Sequence, residues 1–165
     1  MAEYRFGLIG YPIKQSYSPR IQRLAFEYAK VTGDYSLFEV KPEREWRAEL
    51  SEILESIRQG AVQGMNVTIP YKKPVMELLD QNSRAADAIG AVNTIFVKDG
   101  RLIGENTDAM GFWTDLNRHL DHTPDPEQKS ALIIGGGGAA RAVIYELISH
   151  DWRVWVHTRR REQGL

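Results

Sequence analysis

An apolar run, Ala131-Leu132-Ile133-Ile134, passes directly into Gly135-Gly136-Gly137-Gly138-Ala139-Ala140, and a helix-patterned stretch then continues to His150. Few folds accommodate that order. Glycine is needed where a chain bends with positive φ and where backbone must come close to another group. A strand that ends in such a bend and restarts at once as a helix presents the helix's first N–H groups outward, with the positive end of the helix dipole behind them. That turn is suited to phosphate. Dinucleotide-binding turns want glycine at the bend, glycine facing the pyrophosphate and a small residue where helix packs on strand. Gly135, Gly137 and Ala140 meet these requirements in order, so Gly135, Gly136, Gly137, Gly138 and Ala139 are the candidate cofactor-binding residues. A glycine-rich surface loop is the bland alternative, and the flanking strand and helix argue against it.

Residues 153–157 read as the next strand and complete one βαβ unit of a Rossmann fold. An NAD site places Asp or Glu near this point, about 20 residues past the first glycine, to bind the ribose 2′-hydroxyl. This chain instead has Thr158-Arg159-Arg160-Arg161. Guanidinium groups take a 2′-phosphate through paired, charge-assisted hydrogen bonds. Arg159 and Arg160 therefore indicate NADP, while Arg161 reads equally well as a solvated charge. A whole dinucleotide domain needs about five or six strands, so residues 130–165 form an incomplete one, with about two.

The rest of the chain alternates strand-like and helix-like patterns. Strands are expected at 6–10, 35–40 and 65–69, and a hairpin at 91–97 and 101–105 around Asp99-Gly100, placed at a sheet edge. A helix from Ser18 to about Lys30 is expected to use Ser18 as its N-cap and Pro19 as its first residue, burying Ile21, Leu24, Ala25 and Tyr28. A second is expected from Pro42 to Gly60, with Trp46, Leu50, Ile53, Leu54 and Ile57 on one side. A third covers 108–120, with Thr107 or Asp108 near its cap, and the polar segment 121–129 is a linker. The fold class is α/β: an N-terminal domain with a mainly parallel sheet, then the first βαβ unit of a Rossmann NADP-binding domain. The divisions are 1–110, 111–129 and 130–165.

Composition narrows the partners. The net charge of −1 gives no field for nucleic acid, and the 42 % hydrophobic content is enough to bury a core. No signal peptide or membrane-spanning apolar stretch is present. The absence of cysteine excludes disulfides and thiolate chemistry and fits a cytoplasmic protein. The four histidines lack metal-site spacing, so no metal is expected.

Four polar clusters interrupt the first domain: Gly10-Tyr11-Pro12-Ile13-Lys14-Gln15-Ser16-Tyr17-Ser18-Pro19, Asn66-Val67-Thr68-Ile69-Pro70-Tyr71-Lys72, Gly90-Ala91-Val92-Asn93-Thr94 and Asn106-Thr107-Asp108. Ligands of α/β folds collect beyond the carboxyl ends of strands, where most of these lie. Their hydroxyls, amides, ammonium and carboxylate suit a small polyhydroxylated acid. Each also has a bland reading: Ser18 as an N-cap, Asn66 and Asn93 as turn formers, Lys72 as a surface lysine, Asp108 as a helix cap. Residue patterns alone do not choose.

In this order, and followed by GGGGAARA, the four segments resemble the shikimate dehydrogenase family over essentially the whole chain. The resemblance implies that Ser16 and Ser18 bind a substrate carboxylate, that Asn66, Thr68 and Asn93 complete the substrate site, and that Lys72 is catalytic and paired with Asp108. The family's glycine motif falls on Gly135 to Ala139, with its later alanine at Ala142. Its N-R-T cofactor motif is matched in part: Thr158 stands for Asn, Arg159 is retained and Arg160 stands for Thr. The implied reaction is reversible reduction of 3-dehydroshikimate to shikimate with NADPH, in chorismate and aromatic amino-acid biosynthesis. Lys72 would act as general acid. The family's further segments have no counterpart here, so the chain is expected to be a truncated N-terminal portion, inactive by itself. Through its unfinished second domain it is expected to self-associate. The alternatives are a non-catalytic substrate-binding fragment or remnant and a broader quinate/shikimate dehydrogenase.

Overall fold

In a computed structural model of the chain, the described residues are 4–120 and 129–158. The elements in order are β1 (Tyr4–Gly10), α1 (Ser18–Ala29), β2 (Gly33–Glu39), α2 (Trp46–Arg58), β3 (Gly64–Val67), a 3₁₀ turn (Pro74–Leu78) and β4 (Gln81–Asn82). They continue with α3 (Arg84–Ile89), β5 (Thr94–Lys98), β6 (Arg101–Glu105), α4 (Thr107–His119), β7 (Ser130–Ile134), α5 (Gly138–Ser149) and β8 (Arg153–His157). They form two compact units, Met1–Ser83 with Val92–Glu105, and Arg84–Ala91 with Asn106–Leu165.

The first unit is a six-stranded sheet ordered β2-β1-β3-β5-β6-β4. β1 pairs in parallel with β2 and β3, and β4 with β6; only β5 runs against its neighbours, β3 and β6. The sheet is thus mainly parallel, as expected. The hairpin is less peripheral than its sequence implies, because the two-residue β4 pairs outside β6. Its turn has positive φ at both Asp99 and Gly100 (51° and 74°), the type I′ geometry that matches strand twist.

Pleating sends alternate residues to opposite faces. By register, Ile9, Met65, Val67 and Ile95 share one face, and all are buried. α2 packs on the sheet at β5 and β6, and its Leu50, Leu54 and Ile57 are its buried stripe. This helix starts at Trp46, four residues later than expected from Pro42. Residues 41–45 make tight turns instead, with Glu43 N–H donating to the Lys41 carbonyl at 2.7 Å.

α1 departs further from expectation. No residue in it is buried: Ile21, Leu24 and Tyr28 are 61 %, 54 % and 92 % exposed, and Ala25 is exposed too. Apolar spacing marks a face that can be buried; it does not supply the surface that buries it. Nor is Ser18 the cap. Tyr17 holds that position without a side-chain bond, Ser18 is the first helical residue, and the helix ends at Lys30 in the left-handed conformation (φ 56°).

In the second unit, Ile89, Ala91, Ala109 and Ala142 form a small core, flanked by Ala85 and Tyr145. α4 is capped by Asn106, whose Oδ1 accepts from Ala109 N–H at 3.3 Å, so neither Thr107 nor Asp108 is the cap. β7 and β8 pair in parallel from Ser130 opposite Arg153 to Ile134 opposite His157, with α5 between them in sequence and packed on both. Leu132, Ile134 and Trp155 alternate along these strands and are exposed. Among the described residues no helix is long and apolar enough to cross a membrane.

The two apolar helix faces of the first unit should respond differently to truncation. Leu50→Ala, at a fully buried site, is expected to cost about 2–5 kcal/mol. Leu24→Ala should stay within about 0.5 kcal/mol. Urea unfolding of both variants checks this; similar losses would contradict the exposed position of α1.

Candidate functional site

The carboxyl ends of β1, β3 and β6 and the amino end of β5 lie along one edge of the first unit's sheet, as the pairing directions require. Backbone bonds across that edge stitch the loops together. Thr68 N–H donates to Ile9 O at 2.8 Å, Tyr11 N–H to Ile69 O at 2.9 Å, Val67 N–H to Asn93 O at 2.8 Å, and Asn93 N–H to Glu105 O at 3.0 Å. Gly10 sits at the crossing. A β-carbon there would collide with the Thr68 methyl and the Ile13 side chain, so only glycine lets the first two loops approach.

Ser16 and Ser18 are bonded to each other. The Ser16 hydroxyl donates to Ser18 Oγ at 3.1 Å and accepts from Ser18 N–H at 3.2 Å. Asn66, near the end of β3, is held from two sides. Its Oδ1 accepts from the Tyr35 hydroxyl at 2.8 Å, and its Nδ2 donates to Asn93 O at 3.4 Å and Thr94 Oγ1 at 3.3 Å. The Thr94 hydroxyl in turn donates to Asn93 Oδ1 at 3.1 Å. Asn93 is buried. The predicted residues Asn66 and Asn93 thus form one network, and Tyr35 and Thr94, which sequence reasoning missed, are its other members. Thr94 belongs to a recognised cluster but was not singled out in it; Tyr35, inside a strand 31 residues from Asn66, carried no local signal.

Burial pushes the Tyr35 phenol up to about 12, with the Ser18 hydroxyl pulling the other way. The group stays a neutral donor throughout the physiological range. Tyr35, Asn66 and Thr94 line a hollow of about 320 Å³ together with Phe6, Phe26 and Phe96.

Lys72 lies on the turn after β3. Its carbonyl accepts from Val92 N–H at 2.7 Å. The preceding Tyr71 is a buried anchor: its hydroxyl donates to Val40 O at 2.9 Å and its ring lies 5.6 Å from that of Trp46. Thr68 opens the same turn and accepts from Tyr71 N–H at 3.0 Å. Ser16, Ser18, Asn66, Thr68, Lys72 and Asn93 therefore all belong to the first unit, while Asp108 stands in the first turn of α4 in the second.

In the second unit, β7 ends at the glycine run. Gly135 has φ 116°, a backbone that side chains rarely adopt, and its N–H donates to His157 O at 2.8 Å. Gly137 is the N-cap of α5 with no side-chain cap bond, and a β-carbon on Gly135 or Gly137 would meet open space. Among the described residues other than its chain neighbours, none stands within 4 Å of a β-carbon placed on Gly137. The Arg141 guanidinium, one turn into α5, donates to Gly90 O at 3.3 Å. Thr158 follows β8; Arg159 and Arg160 lie outside the described residues.

The chain resembles known proteins over most of its length. The shikimate dehydrogenase substrate binding domain family matches residues 8–95. The chain is 38 % identical over 160 residues to a shikimate dehydrogenase (NADP(+)) of Aquifex aeolicus, covering 97 % of this chain and 56 % of that protein. It is 46 % identical over 145 residues to the Clostridium beijerinckii enzyme of the same name, covering 88 % and 51 %. A crystal structure of shikimate 5-dehydrogenase from Thermus thermophilus in complex with NADP(H) and shikimate superimposes with a TM-score of 0.84 at 34 % identity, over 98 % of this chain and 58 % of that one. The chain spans about half the length of the curated relatives it matches. With the substrate-binding-domain family matching residues 8–95, more than half of its length, the chain belongs to the shikimate dehydrogenase family.

Proposed function

We propose that this chain recognises shikimate and 3-dehydroshikimate in its first unit and carries, in residues 130–165, the opening of an NADP-binding domain. The complete enzyme would reduce 3-dehydroshikimate reversibly to shikimate. The observation that carries this reading is the network at the sheet edge: the Ser16–Ser18 pair, the Asn66–Asn93 pair and Lys72 on the adjoining turn. Paired hydroxyls suit a carboxylate, fixed amides suit ring hydroxyls, and an ammonium suits a ketone oxygen.

The chain's own residues then have distinct tasks. Ser16 and Ser18 hold the carboxylate with donated hydrogen bonds, which are stronger for an ionised acceptor. Asn66, Thr68 and Asn93 orient the ring hydroxyls. Lys72 polarises the ketone and delivers a proton to its oxygen as general acid. Asp108 would hold the lysine and a substrate hydroxyl in position, acting electrostatically. The nicotinamide cofactor, when bound, supplies the hydride. Gly135 to Ala139 would receive its pyrophosphate, and Thr158, Arg159 and Arg160 its 2′-phosphate. Tyr35 keeps Asn66 in one orientation, because its phenol does not ionise in the working range.

On the 165-residue chain, calorimetric titration is expected to show shikimate binding, weakened about tenfold or more when Ser16 and Ser18 are both replaced by Ala. No binding by the unsubstituted chain would count against the proposed function. In an enzyme with a complete cofactor domain, Lys72→Ala should lower kcat by about 10²–10⁴ with a smaller effect on KM. The same enzyme should prefer NADP to NAD, and Arg159→Ala should raise KM for NADP far more than for NAD. Turnover near normal in Lys72→Ala, or equal use of NAD, would remove the corresponding role.

The raised Tyr35 value has a consequence for stability. The folded phenol binds its proton more tightly than the unfolded one, so its contribution is present below about pH 10 and is lost as pH rises towards about 12. Denaturant unfolding between these limits should fall more steeply for the unsubstituted chain than for Tyr35→Phe. Parallel profiles would place the phenol in ordinary solvent.

A further inference from the structure

Glu39, the last residue of β2, reaches into the loop that carries the two serines. Its Oε1 accepts from Ile13 N–H at 3.3 Å, and its Oε2 lies 3.8 Å from the Lys14 ammonium. The carboxylate is about one-quarter exposed, whereas Lys14 is almost fully in solvent. From Ile13 the bonding continues: its carbonyl accepts from Ser16 N–H at 2.9 Å, and Ser16 Oγ accepts from Ser18 N–H at 3.2 Å. Ile13 is itself buried, and its side chain packs at the glycine crossing. Besides the Tyr11 bond at its start, the loop between β1 and α1 is therefore held at Ile13 by apolar packing and by a carboxylate from the neighbouring strand, and Ser16 and Ser18 are tied back to that point.

We propose that Glu39 is a positioning residue for substrate binding: it holds the Ile13–Ser16 turn so that the Ser16 and Ser18 hydroxyls face a carboxylate-bearing ligand together. The inference rests on the proposed function for its ligand and on the geometry alone for its action on the loop. A charged acceptor suits the task, because a hydrogen bond from an amide to a carboxylate is stronger than one to a neutral oxygen. Placing an anion near an anion site has a cost in repulsion. Lys14, paired to the outer carboxylate oxygen, offsets it.

Two measurements on the 165-residue chain test the proposal. The first is amide hydrogen exchange of Ile13 and Ser16 without ligand. Glu39→Ala should speed both by about tenfold or more, and Glu39→Gln, which retains an acceptor oxygen, should stay within about twofold. The second is calorimetric titration with shikimate. Glu39→Ala should raise Kd about tenfold, Glu39→Gln about twofold, and in a Ser16→Ala background the further effect of Glu39→Ala should shrink to about twofold. Unchanged exchange in Glu39→Ala overturns the proposal, as do full additivity with Ser16→Ala and failure of Gln to rescue affinity. Absence of shikimate binding by the unsubstituted chain instead overturns the proposed function, and the exchange data still decide whether Glu39 holds the turn.

Discussion

At the end of β1, Gly10 occupies a position where the Thr68 methyl and the Ile13 side chain leave no space for a β-carbon. Most of the first unit's chemistry depends on that crowding. Because the strands can close there, Thr68 N–H reaches Ile9 O and Tyr11 N–H reaches Ile69 O, and the serine loop and the Asn66–Lys72 segment meet at one edge. Alanine at this position would force the Thr68 and Ile13 side chains to shift. A backbone contact thus fixes where the polar side chains stand, in keeping with function carried by loops on a rigid sheet.

Local chemistry made much of this legible. The type I′ turn at Asp99-Gly100, the βαβ unit around the glycine run and the stripe on α2 follow from residue type and spacing, which one segment contains in full. The errors have a common origin. Burial of Ile21, Leu24 and Tyr28 needs a second surface, and no property of α1 supplies one. Ser18 carries a capping side chain but spends it on Ser16, a choice set by the loop. Tyr35 meets Asn66 only because β2 and β3 flank β1, and strand order is a property of the whole sheet.

The two units prepare for ligands by opposite means. The first gathers side-chain groups already bonded to one another, so that Asn66 and Asn93 have little freedom left to lose when a ligand binds. The second has, at the head of α5, a positive-φ Gly135 and a helix start without a side-chain cap, so backbone amides and the helix dipole are what that turn presents. One arrangement presents side-chain amides and hydroxyls; the other presents backbone N–H groups.

The β5–β6 hairpin also has a part in how the second unit assembles. That unit is discontinuous: α3 and Ala91 precede the hairpin, and α4 follows it. The ladder runs from Lys98 opposite Arg101 to Thr94 opposite Glu105, continues through Asn93 N–H to Glu105 O, and beyond it Asn106 Nδ2 donates to Ala91 O at 2.9 Å. Zipping from its own tight turn, the hairpin delivers Ala91 to Asn106 across a short closed loop, whose entropy cost grows only logarithmically with length. Ile89 and Ala91 stand beside Ala109 in the small core, so that part of a core split in sequence is joined across one short closed loop.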